Sequence, residues 1–231
     1  MSIGLLETAR VEGGRVPLWP LHLQRLVASA AALGLALPAR LPGEAEVAHA
    51  ARGVPGAVAA VRLTLTDAGV GLSARPVDGV GTGWRAAPAP DARSVEAEVA
   101  HKTTERAAHE AAARYARAQG CDEALWVNGS GALTEGTITN LFVCTGGRVL
   151  TPPLSAGVLP GIARGRLLAL RQLAGRRVAE ADLRPGDLAL AEEVFLTNAV
   201  RGAVPLLAWE GAPLRRGDLW LAASGAIFPR Q

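Results

Sequence analysis

The sequence predicts an α+β chain in two lobes. Hairpin signals and helical segments are mixed along the chain, and the end of a Gly-, Pro- and Ala-rich stretch, Val77 to Arg93, reads as a linker between the lobes. Of the 231 residues, 49% are hydrophobic, enough to bury a core on each side of that linker. The expected division is a smaller lobe over 1–95 and a larger one over 96–231.

In the first lobe, Leu5 to Val11 and Arg15 to Trp19 flank Glu12-Gly13-Gly14 and read as a hairpin. A helix over Leu21 to Leu33 is stopped by Gly34, and Glu44 to Arg52 reads as a short second helix. In Ala57 to Thr66, apolar Val61, Leu63 and Leu65 alternate with Arg62, Thr64 and Thr66, the pattern of a half-buried strand. Val70 to Arg75 pairs with it across Asp67-Ala68-Gly69. In the second lobe, Glu105 to Gln119 has no helix breaker and ends at Gly120. Short strands follow at Glu123 to Val127, Leu133 to Thr134, Thr139 to Cys144 and Arg148 to Thr151, with turns at Asn128-Gly129 and Gly146-Gly147. Pro160-Gly161 opens a helix over Ile162 to Leu173. Val194 to Thr197 and Ala203 to Trp209 are strands, and the stretch from Arg216 is helical.

Composition narrows the function. The net charge is only +3 and no Arg cluster alternates with aromatics, which argues against nucleic acid as a partner. Cys121 and Cys144 have no metal-ligand spacing and suggest no disulfide framework, so both are expected to be reduced and buried, with no metal. The first residues lack the basic and apolar regions of a signal peptide. The longest apolar run, Leu26 to Leu37, is too short to span a bilayer. A cytoplasmic protein without membrane partners is expected. The five Trp residues are expected to pack the core, and His22, His49, His101 and His109 to be structural or surface positions.

The most informative residue is the single lysine. All other basic side chains are arginine, and the exception is Lys102. Arginine replaces lysine in most ion pairs, but not where an amine must lose its proton and attack a carbonyl. That chemistry is Schiff-base formation, with a substrate carbonyl or with pyridoxal phosphate. Lys102 lies just before a helix at the expected lobe junction, where partial desolvation lowers an amine pKa. Three further segments accompany it. Glu135, in Leu133-Thr134-Glu135-Gly136-Thr137-Ile138-Thr139-Asn140-Leu141-Phe142, is an acid beside a buried strand, a place from which it can keep a pyridine nitrogen protonated. Val158-Leu159-Pro160-Gly161-Ile162-Ala163-Arg164 starts a helix whose free N–H groups suit a phosphate, although an ordinary helix start has the same pattern. Phe195-Leu196-Thr197-Asn198-Ala199-Val200-Arg201-Gly202 ends a strand in short polar donors.

Together, and in this order, these segments resemble the class IV aminotransferases, the fold-type IV pyridoxal phosphate enzymes, over Leu5 to about Leu206. The resemblance implies a two-lobed, D-amino acid aminotransferase-like fold with its active site between the lobes. Lys102, in His101-Lys102-Thr103-Thr104-Glu105-Arg106, is then the Schiff-base lysine and proton shuttle. Glu135 is the pyridine-nitrogen partner, and Arg25, in His22-Leu23-Gln24-Arg25-Leu26, is similar to the family's phosphate-binding arginine. Ile162, with Ala163, resembles the backbone donors to the phosphate, and Asn198 and Ala199, with Thr197 before them, fall where the family closes the phosphate cup. The resemblance also implies a homodimer and a small-molecule amino substrate.

Within the family, the chain looks most like the 4-amino-4-deoxychorismate lyases. Branched-chain aminotransferases commonly carry a tyrosine five positions after the lysine, where this chain has Ala107. The Lys102 and Arg106 spacing, Thr8-Ala9-Arg10-Val11 and Asp122-Glu123-Ala124-Leu125 are similar to the lyase branch. The lyase substrate carries two carboxylates, for which Thr8, Arg10, Arg106 and Arg201 are the candidate contacts. This implies conversion of 4-amino-4-deoxychorismate to 4-aminobenzoate and pyruvate, a folate-pathway step. The alternatives are a transaminase for branched-chain or D-amino acids and a shortened, non-catalytic relative. The last is motivated by the start of the chain at Gly4-Leu5-Leu6-Glu7-Thr8, near the end of the family's opening Tyr-Gly-Asp-Gly-like stretch.

Overall fold

The structure is a computed structural model and describes residues 3–79, 82–95 and 100–229. Val80 and Gly81 of the Gly-, Pro- and Ala-rich stretch, and Glu96 to Val99 past the expected boundary, lie outside these residues. The chain forms two compact units: one of Met1–Val80, His101–Arg106 and Ala199–Arg201, the other of Gly81–Ala100, Ala107–Asn198 and Gly202–Gln231. Residues 82–95 thus cluster with the later residues, and the segment bearing Lys102 clusters with the earlier ones.

The first unit is a three-stranded antiparallel sheet, β1 (Leu5–Glu12), β2 (Val58–Thr66) and β3 (Gly69–Pro76), in that order. Helices α1 (Trp19–Ala32) and α2 (Glu44–Ala50) complete it. Alternation in β2 puts Val61, Leu63 and Leu65 in a core with Leu5, Ala9 and Val11 of β1, Trp19, Leu26 and Ala30 of α1, and Val47 of α2. The opposite face carries Thr8 directly across from Arg62, and Arg10 across from Ala60. The hairpin expected at Arg15 to Trp19 does not form: only Glu12 and Arg15 bridge, and α1 begins at Trp19. Pro17 has no N–H for a ladder, and Pro20 suits a first helical turn. β1 pairs with β2 along its full length instead.

The second unit is built on a ten-stranded sheet. Its strands include β4 (Trp84–Pro88), β5 (Glu123–Val127), β6 (Leu133–Gly136), β7 (Asn140–Thr145) and β8 (Arg148–Thr151). β9 (Gln172–Leu173), β10 (Arg176–Glu180), β11 (Glu193–Asn198), β12 (Gly202–Trp209) and β13 (Ala212–Pro213) complete it. Because β11 pairs with both β7 and β12, the path β7-β11-β12-β4-β5-β6 closes on itself as a barrel. Its interior holds Leu125, Leu133, Leu141, Val143, Leu196 and Leu206. On the other face of β7 and β11, Phe142 and Phe195 stack with centroids 5.2 Å apart. Helices α3 (Ala107–Ala118), α4 (Ile162–Leu170), α5 (Pro185–Leu190) and α6 (Leu219–Ile227) surround the sheet.

β4 falls inside the Gly-, Pro- and Ala-rich stretch Val77 to Arg93, where no strand is expected. Its parallel partners, β5 and β12, lie far along the sequence, so its pairing leaves no local signal in a Pro- and Ala-rich stretch. The helix expected through Leu173 stops at Leu170, where Arg171 takes a left-handed φ of 60°, and the chain turns into β9 and β10. All five Trp residues are buried. Cys144 is buried too, and burial pushes its thiol up to about 12. Cys121 is only partly buried, against expectation, because it lies in the loop after α3. Among the described residues, no helix is long and apolar enough to cross a membrane.

Candidate active site

In the first unit, the backbone of Lys102 is tied to β1. Leu6 N–H donates to the Lys102 carbonyl at 2.8 Å, and Thr104 N–H donates to the Gly4 carbonyl at 2.8 Å. Gly4 N–H returns a bond to Thr104 Oγ1 at 2.9 Å. One residue along β1, the buried Glu7 gathers two partners from α1. Arg25 donates from Nε to Oε1 at 2.8 Å and from Nη2 to Oε2 at 2.7 Å. His22 Nδ1 meets Oε2 at 2.6 Å. Burial pushes the Glu7 carboxyl up, but Arg25 and His22 outweigh it and hold it down to about 2. Burial, with the Arg25 and Lys102 charges, lowers the pKa of His22 against the pull of Glu7, so the ring is neutral at pH 7 and its Nδ1–H is the donor. Its Nε2 is buried without a partner.

Lys102 has the electrostatics its proposed chemistry needs. Burial, followed by the Arg25 charge and then those of Arg106 and Arg62, brings its ammonium down to about 7, with Glu7 pulling the other way. The sequence motif pointed to Arg25 and Arg106. Arg62 it did not single out, although its strand alternation is plain, because nothing local says which face of β2 carries chemistry.

In the second unit, Glu135 is the last residue but one of β6 and is 4% exposed. Arg93 Nη2 donates to its Oε1 at 2.7 Å, while Asn140 Nδ2 at 3.1 Å and Leu159 N–H at 2.9 Å donate to Oε2. Leu159 immediately precedes Pro160-Gly161, the start of α4, so the Glu135 carboxylate and the α4 N-terminus are fastened together. Gly161 is needed there: a Cβ would lie 3.0 Å from Asn140 Cγ. No side chain caps α4, and the first N–H groups of a helix, here those of Ile162 and Ala163, have no intrahelical acceptor. α4 packs against β11, where the Thr197 hydroxyl is buried without a partner. Asn198 ends β11 half-buried, and Ala199 begins the segment grouped with the first unit.

A second acid, Glu123, shapes this region from below. It accepts Thr137 N–H at 2.9 Å and Thr139 Oγ1–H at 2.9 Å, and bonds Ile138 N–H at 3.3 Å, closing the turn from β6 to β7. Gly136 sits against it, and a Cβ there would lie 2.7 Å from the Glu123 carboxyl carbon. Gly136→Ala is therefore expected to destabilise the protein by about 1–3 kcal/mol through overpacking. Urea unfolding checks this, and an unchanged midpoint would contradict it.

The expected substrate contacts are not alike. Arg10 is buried, and its guanidinium is engaged: Nη1 donates to the Val200 carbonyl at 2.9 Å, and Nε and Nη2 to Glu12 Oε2 at 3.0 and 2.9 Å. Arg201 Nη1 donates to the Asp78 carbonyl. Thr8 is partly buried opposite Arg62. Of the three expected arginines, Arg106 is among the charges that lower the Lys102 pKa.

This geometry agrees with a family match over residues 4–209, to the family described as amino-transferase class IV. The chain belongs to that family. A branched-chain-amino-acid aminotransferase of Escherichia coli (strain K12) is 32% identical over 102 residues, 44% of this chain and 33% of that protein. The chain thus matches about a third of the length of the curated relatives. The branched-chain aminotransferase of Thermoproteus uzoniensis, solved with norvaline, is 26% identical, with a TM-score of 0.82 over 97% of this chain and 84% of that one. A candidate 4-amino-4-deoxychorismate lyase from Legionella pneumophila is 25% identical, with a TM-score of 0.78 over 93% and 85%. The class IV aminotransferase fold is α+β, and the family's cofactor is pyridoxal 5'-phosphate. The residues present fit that cofactor. The second unit holds a buried, cation-paired carboxylate for a ring nitrogen and, beside α4, an orphaned hydroxyl and free N–H groups for a phosphate. The first unit holds the lone lysine with a lowered pKa.

Proposed function

We propose that this class IV family protein is a lyase that converts 4-amino-4-deoxychorismate to 4-aminobenzoate and pyruvate. The observation that carries the reading is the cationic setting of Lys102: Arg25, Arg106 and Arg62 all act on its ammonium, and the next residue after Arg106 is Ala107 rather than a bulky phenol. That setting suits a substrate with two carboxylates. The likeness to the Legionella lyase candidate supports it.

Bound pyridoxal phosphate supplies a carbonyl for the amine and a ring that takes up an electron pair. Lys102 Nζ, neutral in a sizeable fraction of molecules at pH 7, would hold the cofactor and would take the proton from the amine-bearing carbon of the substrate. The enolpyruvyl C–O bond then breaks, and the proton collected by Lys102 balances the one the departing fragment needs to become pyruvate. Arg106 and Arg62, with Thr8, bind the substrate carboxylates, a role Arg10 and Arg201 share less directly because carbonyl groups of the chain already engage them. Glu135 would meet the ring nitrogen. Arg25 in the first unit serves the phosphate, as do the Ile162 and Ala163 N–H groups, Thr197, Asn198 and Ala199. A homodimer remains the expected assembly.

A second reading is a transaminase for branched-chain or D-amino acids, and the names of the curated relatives favour its branched-chain form. The two separate by product. With 4-amino-4-deoxychorismate and no amino acceptor, the lyase reading expects pyruvate and 4-aminobenzoate in equal amounts. No pyruvate there, with keto acid formed only when an amino acid and an acceptor are both supplied, would sink it.

A further inference from the structure

Arg93 was read from the sequence only as the end of a linker. In the second unit it is held on every side. Its backbone N–H donates to the Val127 carbonyl at 2.9 Å, and it bridges to Asn128. Its guanidinium carbon lies 4.8 Å from the centroid of the Trp126 ring, against which His109 of α3 packs edge-on with centroids 4.9 Å apart. Nε donates to the Gly157 carbonyl at 3.2 Å, and Nη1 is 3.4 Å from His109 Nε2. The Gly157 turn is pressed close: with φ at 92°, a Cβ would stand 2.5 Å from the Ser94 carbonyl. The remaining donor, Nη2, reaches Glu135 Oε1 at 2.7 Å, and the two side chains are only 9% and 5% exposed.

A carboxyl group this buried takes up a proton unless a cation or strong donors oppose it. A protonated Glu135 would be a neutral acid, unable to stabilise positive charge on a ring nitrogen. Among the described residues of this unit, two further titratable groups belong to the same arrangement, Glu123 of β5 and His109 of α3. Glu123 is a second acid turned to its own ring of donors, and His109 Nε2 meets Arg93. The full positive charge comes from Arg93 alone among the bonds described. Its planar fork, stacked on Trp126, also fixes the direction in which Glu135 points.

We propose that Arg93 is a positioning residue for the cofactor's ring nitrogen: it keeps Glu135 ionised and aimed. The inference rests on the reading that Glu135 meets that nitrogen. Lysine in place of Arg93 preserves the charge but loses the fork. Glutamine preserves one donor but loses the charge.

The test begins with the cofactor-free full chain labelled with 13C at the Glu side-chain carboxyls, with the Glu135 signal assigned by its loss in Glu135→Gln. Arg93→Gln is expected to raise the Glu135 titration midpoint by about one to three pH units. Arg93→Lys is expected to keep most of the wild-type value. An Arg93→Gln midpoint equal to wild type would overturn the proposal. Should Arg93→Gln fail to fold, Arg93→Gln/Glu135→Gln, which leaves no unpaired charge, is expected to recover the wild-type circular dichroism, and failure to do so would equally overturn it. With pyridoxal phosphate added, the visible band of Arg93→Gln is expected to change with pH over a range shifted from wild type, recovering toward it in Arg93→Lys. A raised carboxyl midpoint together with a Glu135→Gln protein whose cofactor affinity and spectrum match wild type would overturn the cofactor role through the Glu135 reading, leaving only a structural ion pair.

Discussion

Lys102→Arg is expected to remove both the yellow colour of the cofactor-loaded protein and its turnover. Wild type should carry a visible band that borohydride traps covalently, and the variant should carry none. Arginine holds its proton at any working pH, so it can neither attack a carbonyl nor accept a proton from carbon. Loss of the proton-transfer role alone lowers rate on the order of 10²- to 10⁴-fold, and loss of the covalent link adds to that. The wild-type pH profile follows from the same group. With an ammonium pKa near 7 in the cofactor-free chain, the rate of covalent cofactor attachment should rise from pH 6 to pH 8 as Nζ loses its proton. A flat profile across that range, or a Lys102→Arg protein that still turns over, would remove Lys102 from the chemistry.

Glu7→Gln has the second-largest expected effect, and it is on stability. The carboxylate is buried and bound by Arg25 twice and His22 once, at 2.6–2.8 Å. Removing its charge leaves Arg25 uncompensated in a poorly hydrated place, a loss on the order of 3–5 kcal/mol. The folded carboxyl titrates at about 2 against an ordinary 4.5, so its contribution is complete above pH 4.5 and lost as pH falls toward 2. At 1.36 kcal/mol per pH unit, that contribution amounts to about 3 kcal/mol. Urea unfolding of wild type and Glu7→Gln at pH 7 and again at pH 3 should show a wide gap that narrows in acid. A gap that stays constant would mean the Glu7 charge is not what stabilises the cluster. Because Glu7 neighbours both Arg25 and Lys102, the same variant should also move the Lys102 titration downward.

Local chemistry made much of this protein legible. β2 was visible in its alternation, α1 in its apolar spacing and Gly34, and the start of α4 in Pro160-Gly161. Glu135 and Lys102 stood out because each lies in a compact motif, and Lys102 also because no other lysine shares the chain. These signals depend on residues a few positions apart, where backbone geometry and side-chain period act directly.

Partnership across the chain was not legible. β4 hides in a stretch of Gly, Pro and Ala because only its distant parallel neighbours make it a strand. Arg93 reads as one arginine among many, and its meaning lies in Glu135, Trp126 and Gly157, none of them nearby in sequence. Arg10 and Arg201 look like free cations until folding turns them toward carbonyl groups. By itself, then, the sequence determined the elements with a strong local pattern and the reactive residue types. The tertiary structure alone decided which charges are paired, which are buried and which remain to act, because desolvation and Coulomb energy depend on distance in space rather than along the chain.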